Sequence, residues 1–115
     1  MKHDDTVYIK HIVDSVYRIE NYVSDTSKNE FLSDENEMMR AAVVRELEVI
    51  GEAAKNITKE FQQTHPEILW RDITDTRNKI IHDYMSVDYD LVWVIVRQYI
   101  PNVYDQVIKI IEQHS

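Results

Sequence analysis

Cysteine is absent from the 115 residues, and glycine occurs once, as Gly51, with proline only at Pro66 and Pro101. The first absence excludes disulfides and thiolate metal sites and is compatible with an intracellular home. The scarcity of turn residues excludes a meander of short strands and favours long helices. Long apolar runs are also missing: the longest, Leu91–Val96, is far too short to span a bilayer. The start of the chain, Met1-Lys2-His3-Asp4-Asp5, has no apolar core of the signal-peptide kind. We therefore expect a cytoplasmic protein without a membrane anchor. Net basic charge is lacking as well. The formal charge is −8, which excludes a sequence-blind coat for nucleic acid, because phosphate contacts dominate such binding. A local basic site, or a basic patch on a protein partner, remains compatible with it.

What is present reads as one helical domain over residues 1–115, with 43% hydrophobic and 30% charged residues supplying an ordinary core and surface. Asp4 or Asp5 caps a first helix whose face is Tyr8, Ile12, Ser15, Val16, Ile19, Tyr22 and Val23. A polar break at residues 24–29 follows. Ser33 or Asp34 starts a second long helix, with Met38, Met39, Ala42, Val43, Val49, Ile50, Ala53 and Ile57 on its apolar side. Gly51 inside it costs about 1 kcal/mol against alanine. Close approach of another helix at Gly51 and Ala54 would explain the tolerance.

Thr64-His65-Pro66 marks a third start, and that helix runs through Trp70 and Ile73 to end near Met85. The last helix begins at Ser86 or Asp88 and carries a continuous face from Tyr89 to Ile111. Leu91, Val94 and Ile95 add apolar residues elsewhere on its circumference, so it is buried on more than one side or meets another subunit. Pro101 removes a helical hydrogen bond and predicts a kink. The fold class is thus all-α, a bundle of four to five helices with the last one kinked at Pro101.

The segment with most chemistry is Arg77-Asn78-Lys79-Ile80-Ile81-His82-Asp83-Tyr84. Trp70, Ile73, Arg77, Ile80 and Tyr84 step by 3, 4, 3 and 4, one stripe of a helix. An arginine on a packing stripe needs an anion, a stacking partner or a ligand, because it cannot shed its charge. A structural ion pair with Glu46 or Glu52 is the plain alternative for Arg77. His82 is near-neutral in its ordinary titration and can pass protons. Taken alone it is more ordinarily a surface residue whose cation favours a helix end. On an ideal helix Arg77 and His82 lie about 140° apart. A compact site therefore needs the helix to fray near His82, the arginine to reach around, or a second copy across a two-fold axis. Asp83, Asp88 and Asp90 read as helix ends and caps rather than a hard-metal loop, and no His-x3-His pair points to zinc. No glycine-rich phosphate loop or nucleophile elbow occurs. We expect no metal or cofactor.

The arrangement Arg77-Asn78-x-x-x-His82-x-Tyr84 resembles the Arg-x4-His-x-Tyr signature of HEPN-domain ribonucleases, and more narrowly the HepT toxins of HepT–MntA toxin–antitoxin pairs. Ile50-Gly51-Glu52-Ala53-Ala54-Lys55-Asn56, Trp70, Val87-Asp88 and Val92-Trp93 extend the resemblance over nearly the whole chain. It implies a HEPN-type bundle that pairs as a homodimer, RNA as substrate, and a partner nucleotidyltransferase antitoxin. The tyrosine at 84 would be the acceptor of AMP from that partner. Granted the resemblance, His82 supplies a base or acid, Arg77 stabilises the charge that builds on the phosphorane, and Asn78 orients either. Phosphate on Tyr84 would place negative charge beside Arg77 and block RNA. The rival reading is a non-catalytic helical module that binds a nucleotidyltransferase or a nucleotide. Burial of Arg77 or His82 in a structural ion pair would favour it.

Overall fold

Apolar residues recurring at helical spacing build nearly all of the chain into helices. A computed structural model describes residues 4–83 and 86–114, with only the backbone at 82, 83 and 114. Helix α1 spans Asp5–Val23, with Asp4 as N-cap accepting from the Thr6 N–H at 3.0 Å. Its buried face is Ile9, Ile12, Ser15, Val16, Ile19 and Val23; Tyr22, expected there, is exposed.

The polar break is shorter than its composition suggests. Ser27 and Glu30 form a reciprocal capping box that starts a one-turn helix α2, Lys28–Phe31. A 3-10 turn at Asp34–Asn36 then leads into α3, Glu37–Lys55, which begins after the expected Ser33 or Asp34. Arg40 holds this corner by donating to the Phe31 and Ser33 carbonyls at 2.7 and 2.5 Å. The core stripe of α3 is Val43, Leu47, Ile50 and Ala54, joined by Val44, Gly51 and Ala53. Met38, expected inside, is 87% exposed.

Helix α4, Lys59–Thr64, is capped by Thr58, whose hydroxyl is tied in turn to Asp5 of α1 at 2.8 Å. Thr64-His65-Pro66 thus ends a helix; the next, α5, starts at Trp70 and runs to Ile80. The Trp70 indole N–H donates to the His65 carbonyl at 3.0 Å, fixing the start of α5 against the end of α4. Helix α1 packs on α3, and α3 on α5.

Two differences from the sequence reading bear on function. First, α5 stops at Ile80 rather than near Met85. The chain continues as a short extended strand β1, Ile81–Asp83, paired antiparallel with β2, Ser86–Val87. Ile80 and Ile81 are β-branched, which suits a departure from helix. The Ile80 carbonyl accepts the Asp88 N–H at 2.7 Å and is committed to the returning segment. Second, the last helix holds a π-helical turn. Helix α6, Tyr89–Val94, passes through the π turn Ile95–Tyr99 into α7, Ile100–His114. The Ile100 N–H donates to Ile95, one residue beyond the α-helical partner, and Pro101 follows directly. A widened turn beside a proline is where the expected irregularity in the helical ladder falls.

Asp88 caps α6 by accepting from Leu91, and Asp90 pairs with Lys28 at 3.3 Å. Both are used as helix-end residues. One hydrophobic cluster joins α1, α2, α3, α5, α6 and α7, with Phe31, Ile73, Ile80, Val92, Val103 and Val107 at its centre.

Candidate active site

Helix α5 crosses α3 closely at Gly51. A Cβ at this position would lie 3.4 Å from the Ile73 and Thr74 backbone carbonyls, so a methyl would just touch α5 and a longer side chain would press on it. Ala54, one turn on, is fully buried. Beside this close crossing the helices leave a cleft of about 710 Å³. Helix α3 lines it with Arg45, Glu48, Gly51, Glu52 and Lys55. Helix α5 contributes Thr74, Asp75, Arg77 and Asn78.

Arg77 is therefore not on the packing stripe. Trp70, Ile73, Thr76 and Ile80 are buried on α5, and Thr76 takes the place assigned to the arginine. A threonine can be buried there because its hydroxyl donates to the Asp72 carbonyl at 2.9 Å; an arginine would carry its charge inward. Rotation by one residue places Arg77 at the edge, with its side chain 58% exposed. Its Nε donates to Glu48 Oε2 at 3.4 Å. The expected partners were Glu46 or Glu52, but Glu46 turns to Arg18 of α1, also at 3.4 Å. Among the described residues no acceptor takes a hydrogen bond from the two Nη groups of Arg77. A guanidinium held by its inner nitrogen keeps its outer donors for an anion.

His82 lies beyond the end of α5, in β1. The 140° separation expected on a continuous helix does not apply, and Asn78 and His82 do not form a helical stripe. The helix ends between Arg77 and His82, which meets the first of the three conditions stated for a compact site. The side chain of His82 and the whole of Tyr84 lie outside the described residues. Sequence reasoning missed Arg45, Glu48 and Lys55. Their signal was there: 45, 48, 52 and 55 step by 3, 4 and 3, a charged stripe beside the apolar one.

A helical bundle that presents an arginine and the following asparagine in an interhelical cleft, with a histidine on the segment just beyond, has the architecture of a HEPN-type domain. The model of the family described as "Ribonuclease HepT-like" matches residues 12–110. The chain belongs to the HepT-like ribonuclease family. It is 38% identical over 102 residues to a protein of Thermococcus cleftensis named probable ribonuclease HepT, covering 89% of this chain and 91% of that one. A Methanocaldococcus jannaschii protein named as a candidate RNase is 35% identical over 106 residues, covering 92% of this chain and 95% of that one. Another from the same organism is named as a gamma-glutamylcyclotransferase and candidate RNase. It is 34% identical over 113 residues, 98% of this chain, which spans only 50% of that longer protein. No solved structure matches the chain.

Proposed function

We propose that this ribonuclease cuts RNA without a metal, as the toxin of a toxin–antitoxin pair whose nucleotidyltransferase antitoxin silences it by adenylylating Tyr84. The observation that supports the reading best is the exposed Arg77 guanidinium, braced at Nε by Glu48 in an open cleft. A base, assigned to His82, takes the proton of a ribose 2′-OH. The freed oxygen attacks the adjacent phosphorus, and the P–O5′ bond breaks. A protonated group returns a proton to the leaving 5′ oxygen. The products are a 2′,3′-cyclic phosphate and a 5′-OH end. Arg77 stabilises the negative charge on the phosphorane oxygens, and Asn78 orients the phosphate or the base. DNA, lacking the 2′-OH, is inert in this scheme.

The working unit in this reading is a cytoplasmic homodimer of one HEPN-type domain, residues 1–115. Val94, 41% exposed on α6, and the half-buried Leu91 are candidate contacts for a second copy. Sedimentation as a monomer at tens of micromolar would count against this unit.

The decisive experiment compares wild type with Arg77→Ala and His82→Ala on single-stranded RNA, with and without EDTA. Cleavage should survive the chelator, leave cyclic phosphate ends, and fall roughly 10²-fold or more in each variant. A fully active Arg77→Ala or His82→Ala overturns the assignment. Inhibition by EDTA that added metal reverses would overturn the chemistry. Specific binding of a nucleotidyltransferase by a protein that never cuts RNA would favour the non-catalytic module.

A further inference from the structure

The cleft that holds Arg77 is one of two that flank the same ridge of α3. Across the ridge, toward α1, lies a second cleft of about 200 Å³ whose lining includes Tyr8, His11, Arg45, Glu48 and Glu52. Arg45, Glu48 and Glu52 border both clefts, so a chain leaving the Arg77 site on that side must cross them. Arg45 lies one turn from Glu48, the residue that braces Arg77.

Arg45 is exposed and pairs with no carboxylate among the described residues. Lys10, Lys55, Lys59 and Lys109 likewise show no acid partner among the described residues, but Arg45 is set apart among the arginines, since Arg97 lies over the Trp93 ring. Arg18, Arg71, Arg77, Lys28 and Lys79 each pair with an acid. Arg40 is engaged by backbone carbonyls. Beyond Arg45, the Tyr8 and His11 rings stand edge to face, 6.0 Å apart at 83°. His11 is exposed and Tyr8 half-buried. An unpaired cation followed by exposed ring surface is the combination that holds single-stranded RNA, phosphate on the cation and base on the ring. Two carboxylates share the ridge with Arg45: Glu48, one turn away, is engaged by Arg77 at 3.4 Å, and Glu52, about 10 Å along the helix, repels phosphate from the far end.

We propose that this ridge and second cleft form a nucleotide subsite for the RNA substrate: Arg45 holds the phosphate next to the scissile one, and His11 with Tyr8 stacks the base that follows. The assignment rests on the ribonuclease reading above. It makes the protein a cutter of extended single strands, with affinity drawn from outside the reacting bond.

The test is steady-state cleavage of a dinucleotide and of a longer single-stranded oligoribonucleotide by wild type, Arg45→Ala, His11→Ala and His11→Phe. Lys109→Ala, an exposed cation on α7 outside both clefts, is the control. For the longer RNA, Arg45→Ala and His11→Ala should each raise KM roughly 5- to 100-fold, the range of one stacked base or one fixed phosphate, with kcat unchanged. His11→Phe should restore most of the loss, since it keeps a ring. Arg45→Ala should also flatten the salt dependence by about 0.7 in log–log slope. Dinucleotide cleavage should be the same in wild type, His11→Ala, His11→Phe and Lys109→Ala. Equal KM for the longer RNA in wild type, Arg45→Ala and His11→Ala overturns the subsite and leaves the ribonuclease standing. So does an equal effect of Lys109→Ala. A wild type that cleaves neither substrate overturns the ribonuclease reading, and the subsite with it.

Discussion

Glu48 and Arg77 face each other across the α3–α5 cleft, with Oε2 and Nε 3.4 Å apart and both side chains partly exposed. An exposed pair of this kind contributes under about 1 kcal/mol to folding, so its value lies in aiming the guanidinium. Glu48→Ala should leave the urea midpoint nearly unchanged and lower kcat by roughly 2- to 5-fold, the kinetic equivalent of that energy. Arg77→Lys keeps the charge but loses the planar fork, and should lose most of the activity. A Glu48→Ala enzyme with wild-type kcat would show that Arg77 needs no brace.

Gly51 gives the second prediction. Gly51→Ala gains about 1 kcal/mol of helix propensity and sets the new methyl at 3.4 Å from two carbonyls, which is bare contact. The two effects should leave stability within about 1 kcal/mol of wild type. Gly51→Leu cannot fit without driving α5 outward. It should cost roughly 1–3 kcal/mol and lower cleavage further than its stability loss explains, because Arg77 and Asn78 ride on α5. Denaturant melts and cleavage rates on the same samples measure both.

Tyr99 supplies a pH dependence. Its hydroxyl is buried with no hydrogen-bond partner among the described residues, and burial, then the Asp72 carboxylate, raises its pKa above the ordinary 10.0. With the folded pKa above the unfolded one, the contribution is fully present below pH 10.0 and is lost as pH rises through the folded value. Tyr99→Phe should therefore be as stable as wild type or more so by up to about 1 kcal/mol at neutral pH. Its stability should also decline less steeply above pH 10.0. A wild type and variant with parallel stability profiles through the alkaline range would contradict this.

Tyr84→Phe tests the regulatory half of the proposed function. The variant lacks the acceptor oxygen and keeps the ring, so it should remain toxic and escape the antitoxin. Co-expression with an active nucleotidyltransferase, followed by intact-mass spectrometry, should show an AMP-sized increment on wild type and none on Tyr84→Phe. An increment that persists in the variant places the acceptor elsewhere. No increment on wild type means that inhibition is by binding alone.

The sequence by itself determined the helical class and the positions of most core residues, and it narrowed the first cap to Asp4 or Asp5 and the last helix's start to Ser86 or Asp88. Each follows from spacing or from a side chain's reach to its own backbone, and both are local. Gly51 was legible as a close approach because a lone glycine inside a helix costs stability unless something needs the space. The motif residues Arg77, Asn78 and His82 were legible as chemistry, since residue type alone sets charge and titration.

Only the tertiary structure decided how those residues are presented. Trp70, Ile73 and Ile80 fit a helical period whether Arg77 or Thr76 completes the stripe, and the choice depends on what α3 places opposite. Glu46, Glu48 and Glu52 are alike in sequence; which one meets Arg77 depends on α1 having brought Arg18 to Glu46. The end of α5 at Ile80 was set by the Asp88 N–H returning to the Ile80 carbonyl, eight residues on in the chain and hydrogen-bonded in the fold. Periodicity reports which face of a helix is apolar. It carries no information on where a second segment will take a carbonyl away, and that is what sets His82 beyond the helix rather than around it.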